Sequence, residues 1–168
     1  MTNNIFLVGP MGAGKSTIGK LLADRTDRQF IDTDAVIVEK TGVEIELIFE
    51  IEGEEGFRKR ESRLIEELTA QDDIVLATGG GAILSPENRD CLKRRGTVIY
   101  LQATAEQLYE RTVKDRKRPL LQTNDRLGKI KELLAVREPL YRQIAEIEIS
   151  TEGKSVKQIV DKLCRKLK

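Results

Sequence analysis

Short apolar runs alternate with longer amphipathic stretches along this chain. The runs are Ile5–Val8, Phe30-Ile31, Ile74–Ala77, Val98–Leu101 and Ile147–Ile149. Within each run the apolar character is continuous rather than alternating, as in strands covered on both faces. Helical periodicities fill the intervals. The pattern therefore predicts βαβ crossovers and a parallel sheet, an α/β domain. Three runs end at a polar or glycine position where a loop should begin: Gly9, Asp32 and Thr78.

The helices carry readable boundaries. Ser85-Pro86 places an N-cap before a proline at the first helical position. Thr104 with Gln107, and Ser155 with Gln158, have the spacing of capping boxes. Val156, Ile159, Val160, Leu163 and Leu167 form a core-facing stripe in the last helix. A similar stripe runs from Leu127 to Ile144, but Pro139 interrupts it, which predicts a kink or break near Arg137-Glu138. An amphipathic helix is expected around Phe57–Leu68, with Arg58 at its start. The segment from Lys114 to Asp125 is charged, then turn-rich, and reads as a loop between two helices.

At 168 residues the chain fits one domain, residues 1–168, with a real core. The 29 basic and 28 acidic residues leave a net charge of +1, so no global positive field draws the chain to nucleic acid or an acidic membrane. Cys91 and Cys164 are far apart and form no CxxC pair, which favours a reducing cytoplasm over a disulfide framework. No apolar run is long enough for a membrane span. Met1–Asn4 leads straight into the first run, with no room for a signal peptide. The absence of histidine narrows the chemistry further: triads and metal sites built on imidazole are excluded. Carboxylates, Lys, Arg, hydroxyls, backbone amides and a bound metal remain, and phosphoryl transfer needs only these.

One stretch supplies a phosphate site. Gly9-Pro10-Met11-Gly12-Ala13-Gly14-Lys15-Ser16-Thr17 matches G-x-x-x-x-G-K-[ST], between a predicted strand and a predicted helix. Its glycines let backbone N–H groups approach phosphate oxygens, and the following helix adds a positive dipole end. Lys15 supplies a charge for the β/γ-phosphates, and the Ser16 hydroxyl can ligand Mg²⁺. The loop implies a nucleoside triphosphate but not its use.

Asp32-Thr33-Asp34 follows a short strand, so both carboxylates should emerge at the carboxyl end of the sheet, beside the Lys15 loop. One can hold Mg²⁺ and the other accept from a substrate hydroxyl; either could instead cap the next helix. Gly79-Gly80-Gly81 after Ile74–Thr78 permits close backbone approach to a ligand, or is an ordinary loop. A cation at the position of Arg58 opposes the helix dipole unless something uses it. Spacing alone does not separate Arg58, Arg118 and Arg137 from the other arginines, most of which are solvated surface charges.

Taken in order, Gly9–Thr17, Asp32-Thr33-Asp34, Glu54-Glu55-Gly56-Phe57-Arg58, Ala77-Thr78-Gly79-Gly80-Gly81, Arg118-Pro119-Leu120-Leu121 and Arg137-Glu138-Pro139-Leu140-Tyr141 make the chain resemble the shikimate kinases over nearly its whole length. The first motif is shared by many NTPases; the combination is specific. The resemblance implies a P-loop kinase fold like that of the nucleoside monophosphate kinases. That is a three-layer sandwich on five parallel strands in order 2-3-1-4-5, with a substrate-binding segment at about 33–61 and a lid at about 112–125. It implies transfer of the γ-phosphoryl of ATP, with Mg²⁺, to the 3-hydroxyl of shikimate, in aromatic amino acid biosynthesis, by a cytoplasmic monomer. By the same resemblance Asp34 would bind the reacting hydroxyl. Arg58 and Arg137 would clamp the carboxylate, with backbone contacts from Gly79, Gly80 and Gly81. Ile45, Phe49 and Phe57 would wall the pocket, and Ser16 and Asp32 would hold Mg²⁺. Gly12, Ala13, Gly14, Lys15, Ser16 and Thr17 would bind the nucleotide, Arg118 would act on the phosphates, and Arg111 and Lys154 would lie at the adenine. A related kinase of the gluconate kinase type shares the loop but is disfavoured by the Asp-Thr-Asp, Phe-Arg and triple-glycine set. The other alternative, a nucleotide-binding module without catalysis, is disfavoured because no group needed for transfer is missing.

Overall fold

A computed structural model describes residues 3–113 and 124–168. Arg118 and most of the expected lid segment lie outside the described residues. All five apolar runs are strands: β1 (Ile5–Val8), β2 (Gln29–Asp32), β3 (Ile74–Ala77), β4 (Thr97–Gln102) and β5 (Ile147–Ser150). They form one parallel sheet in the order β2-β3-β1-β4-β5. Every residue of β1 and β3 is buried, as continuous apolar runs require.

Side chains alternate across the central strand and feed two cores. Phe6 and Val8 join Leu64, Leu92 and Tyr141 on one face. Ile5 and Leu7 join Ile18, Leu22 and Leu163 on the other. Helices α1 (Lys15–Arg25), α5 (Ala105–Thr112) and α7 (Val156–Lys166) cover the second face; α2 (Thr33–Thr41), α3 (Ile45–Thr69) and α4 (Pro86–Arg95) cover the first. The longer α6 (Arg126–Ile144) contributes Ile130 to one core and Tyr141 and Ile144 to the other.

The predicted caps are formed. Ser85 accepts from the Asn88 N–H with Pro86 in the first turn, and both capping boxes are reciprocal. Each such cap is worth about 1 kcal/mol. Two boundaries differ from expectation. The helix carrying Arg58 begins just after Gly53, whose backbone is not helical (φ 73°, ψ 178°) and would be strained with a side chain; a separate helical segment starting at Ile45 precedes it within α3. Helix α6 runs unbroken through Pro139. Proline removes the partner of the Ala135 carbonyl, but Ala135 and Pro139 are both exposed, so water can serve that oxygen. Burial of Arg137, Tyr141 and Ile144 around the proline holds the helix together.

The strand order places the chemistry. From β1 the chain crosses to β2 at one edge, fills the gap beside β1 with β3, then crosses to the other side as β4 and β5. Parallel sheets bind ligands at the carboxyl ends of strands where the order reverses. The register aligns Leu7, Ala77 and Asp32 across the first three strands, so Gly9, Thr78 and Asp32 share one edge.

Candidate active site

At that edge the Gly9–Thr17 loop wraps the start of α1. Gly12 and Gly14 have φ of 87° and 96°, the left-handed region open to glycine. No side chain among the described residues caps α1, and its first internal bond is from the Ile18 N–H to the Gly14 carbonyl. The N–H groups of the preceding turn therefore face the cleft, at the positive end of the helix dipole. Ala13 is buried and donates to the Pro10 carbonyl, which closes the loop. Lys15 is buried, and its Nζ donates to the carbonyls of Gly9 and Pro10 at 2.7 and 2.8 Å.

The aspartates divide their duties. Asp32 caps α2, accepting from the N–H groups of Asp34 and Ala35 through Oδ1. Its other oxygen, Oδ2, accepts from the Ser16 hydroxyl of the phosphate loop. One side chain thus both caps α2 and contacts the phosphate loop. Asp34, one residue into α2, lines a cleft of about 300 Å³ shared with Lys15, Ser16, Thr17, Gly79 and Gly80.

The triple glycine is a close-packed junction. A Cβ on Gly79 would lie 2.7 Å from Glu61 Oε2 and 3.1 Å from Asp34 Oδ1. On Gly80 it would lie 3.1 Å from the Met11 nitrogen, and on Gly81 2.2 Å from the Arg58 guanidinium. The loop therefore touches the phosphate loop, Asp34 and Arg58 at once, and a side chain at 79 or 81 would displace Glu61 or Arg58.

Arg58 and Arg137 converge on this loop from two helices. Arg58 donates to Glu61 at 2.9 Å and to Glu54 at 3.4 Å, while its buried Nε has no partner among the described residues. Arg137 is 3% exposed, and burial lowers its pKa from the ordinary arginine value. Phe49 and Phe57 meet across the Gly53 bend with ring centroids 4.8 Å apart, and Arg58 lies over Phe57. Ile45 packs partly buried against the same core. One buried and one half-buried guanidinium lie beside an aromatic wall, a combination whose chemistry suits a small, partly apolar anion.

Arg111 donates to the Gly12 carbonyl at 3.0 Å, on the outer side of the phosphate loop. Lys154, in the exposed β5–α7 loop, donates to the Ser150 carbonyl. Thr17 is exposed at the start of α1.

Sequence reasoning passed over two residues here. Glu61 is 0% exposed, and burial raises its carboxyl above the ordinary range, with Arg58 partly offsetting the rise. It interrupts the apolar stripe Phe57, Leu64, Leu68, and an acid on a core stripe is a readable signal. Tyr141, one turn after Arg137, is 0% exposed and donates to the Gly80 carbonyl at 2.5 Å. Its phenol pKa is raised by burial, with the Arg137 charge opposing.

A phosphate loop on a five-stranded parallel sheet in this order defines a P-loop kinase, and the two converging guanidiniums suit an anionic acceptor. The chain belongs to the shikimate kinase family: that family's model matches residues 11–168. A shikimate kinase of Francisella tularensis subsp. holarctica is 58% identical over 163 residues, covering 96% of this chain and 93% of that protein. The shikimate kinase from Acinetobacter baumannii, solved in complex with shikimate, is 46% identical, with a TM-score of 0.97 over 99% of this chain and 93% of that one. A gluconokinase from Sinorhizobium meliloti has a TM-score of 0.65 over 99% of this chain and 91% of that one, at 16% identity, a likeness of fold alone. The activity is that of the family, ATP-dependent phosphoryl transfer to shikimate. Among the described residues, no helix is long and apolar enough to cross a membrane.

Proposed function

We propose that Asp34 receives the shikimate 3-hydroxyl and orients it toward the γ-phosphate on the Lys15 loop. The observation that carries this is the shared cleft: Asp34 and Lys15 line one cavity, and Arg58 and Arg137 lie behind Gly79–Gly81 at its far side. A ring carboxylate bound by the two guanidiniums leaves its hydroxyls facing Asp34. The Arg58 Nε, partnerless among the described residues, and the buried Arg137 are the groups for that carboxylate. Residues 33–61 form the acceptor segment, with Ile45, Phe49 and Phe57 as its apolar wall.

Asp34 aligns the hydroxyl and accepts its proton as the bond to phosphorus forms. Lys15 moves from loop carbonyls to phosphate oxygens, exchanging one set of acceptors for another. The N–H groups at the start of α1 hold the β-phosphate. Arg118, which lies outside the described residues, would neutralise charge on the transferring group. Arg111 and Lys154 lie on the adenine side.

Ser16 and Asp32 fit Mg²⁺: a hydroxyl and a carboxylate already in contact at the cleft are hard oxygen donors. Mg²⁺ takes few protein ligands and leaves the rest of its shell to phosphate and water. It would neutralise charge between the β- and γ-phosphates. The protein would act as a monomer, as the family resemblance implies, and free thiols at Cys91 and Cys164 suit a cytoplasmic protein.

The test is ADP release from MgATP with shikimate or gluconate as acceptor. Shikimate-dependent turnover that falls when Mg²⁺ is chelated is expected. Gluconate-dependent turnover without a shikimate response would overturn the reading.

A further inference from the structure

The three glycines at 79–81 carry no Cβ, so their peptide planes reorient more freely than those of residues with side chains. Each carbonyl of the trio is nevertheless held. The Gly79 carbonyl accepts from the Ala82 N–H and the Gly81 carbonyl from the Leu84 N–H, both at 3.1 Å within the local turn. The Gly80 carbonyl has no local donor. It is held from outside, by the Tyr141 hydroxyl of α6 at 2.5 Å.

The donors of the trio behave differently. The Gly79 N–H donates to the Thr33 hydroxyl at 3.1 Å. The N–H groups of Gly80 and Gly81 have no acceptor among the described residues. No peptide bond among the described residues is cis, so the Gly80 carbonyl and the Gly81 N–H point in opposite directions across one plane. Fixing that carbonyl onto Tyr141 therefore aims the Gly81 N–H away from the core phenol. Gly81 itself packs against the Arg58 guanidinium, whose Nε likewise has no partner among the described residues.

We infer that Tyr141 is a positioning residue for the acceptor: its hydroxyl locks the Gly80–Gly81 peptide plane so that the Gly81 N–H joins the arginine clamp as a fixed third donor. Tyr141 is built for this. It is fully buried, one helical turn from Arg137, and its ring stacks on Tyr100 with centroids 5.1 Å apart. One helix thus carries both a clamp arginine and the tether of the loop facing it. The inference rests on the acceptor site proposed above.

The experiment is steady-state kinetics of the full chain as wild type, Tyr141→Phe, Tyr100→Phe and Arg137→Lys. Tyr141→Phe removes one oxygen and keeps the ring stack. It should raise the shikimate KM by about five- to tenfold, the worth of one neutral hydrogen bond. Its kcat should fall by less, and its ATP KM should not move. Tyr100→Phe should match wild type in all three. A wild-type shikimate KM for Tyr141→Phe, or equal losses for both substrates, overturns the inference. A wild-type shikimate KM for Arg137→Lys instead overturns the acceptor site on which it rests. Should Tyr141→Phe not fold, the wild-type amide spectrum decides: the Gly81 N–H resonance should shift when shikimate is added, and an unmoved Gly81 overturns the proposal.

Discussion

Removing Arg58 should weaken folding as well as acceptor binding, and the folding part has a ceiling set by Glu61. Arg58 donates to Glu61 at 2.9 Å, and Glu61 is fully buried. Breaking a buried pair from one side typically costs about 3–5 kcal/mol, because the remaining charge stays out of water. Glu61 has an escape, since it can take up a proton. From an ordinary carboxyl value of 4.5, holding that proton at pH 7 costs about 1.4 kcal/mol for each of about 2.5 pH units. The charge-related loss in Arg58→Ala is therefore capped at about 3 kcal/mol at pH 7. For a chain of this length that lowers Tm by roughly 6–12 °C. The sign follows from linkage. A buried carboxyl with a raised pKa keeps its full stability below about pH 4.5 and loses it as pH rises toward its folded value. Adding Glu61→Gln removes the titrating group. The double variant should thus match Arg58→Ala near pH 5 and exceed it progressively up to pH 7. Shikimate affinity should stay reduced by about 2–5 kcal/mol in both, because the clamp is gone in both. Thermal unfolding of wild type, Arg58→Ala and the double variant between pH 5 and 8, with the shikimate KM measured alongside, reads both effects. A double variant no more stable than Arg58→Ala at pH 7, or a gap independent of pH, would refute the reasoning.

Three further variants probe the rest of the cleft. Asp34→Asn should lower kcat by about 10²-fold or more while leaving ATP binding and Tm near wild type; near-normal turnover would remove Asp34 from the chemistry. Gly79→Ala pushes a methyl against Glu61 Oε2 and Asp34 Oδ1, so it should destabilise by about 1–3 kcal/mol and displace Asp34. Unfolding and turnover measured together test this, and wild-type values for both would contradict the packing. Arg118→Ala should reduce kcat more than substrate affinity, as for a group acting on transition-state charge; an effect confined to KM would contradict that role.

Much of the fold was legible because its signals are local. Continuous apolar runs located all five strands, and Ser85, Thr104 and Ser155 marked helix starts, since strand burial and capping depend on residues within one turn of each other. The Gly9–Thr17 loop was legible for the same reason: a phosphate cradle is made by consecutive backbone amides. Local propensity at Pro139 predicted a kink or break, and the helix is not broken there because Arg137, Tyr141 and Ile144 pack around the proline. Local pattern also missed the helical segment from Ile45 that Gly53 separates from the helix carrying Arg58.

The sequence by itself determined the class of chemistry: a triphosphate loop, carboxylates at a strand end, and no histidine. It could not join Arg58 to Arg137, nor say why three glycines stand at 79–81, because those relations span elements far apart in the chain. Only the tertiary structure decided them. The sheet order sets β3 between β1 and β2, which brings the glycine loop against Met11, Asp34 and Arg58 together. Helix α6 then delivers Arg137 and the Tyr141 hydroxyl to the same loop. Burial follows from that assembly, and with it the unpaired Arg58 Nε and the raised Glu61 carboxyl, since desolvation belongs to a packed site and to no residue alone.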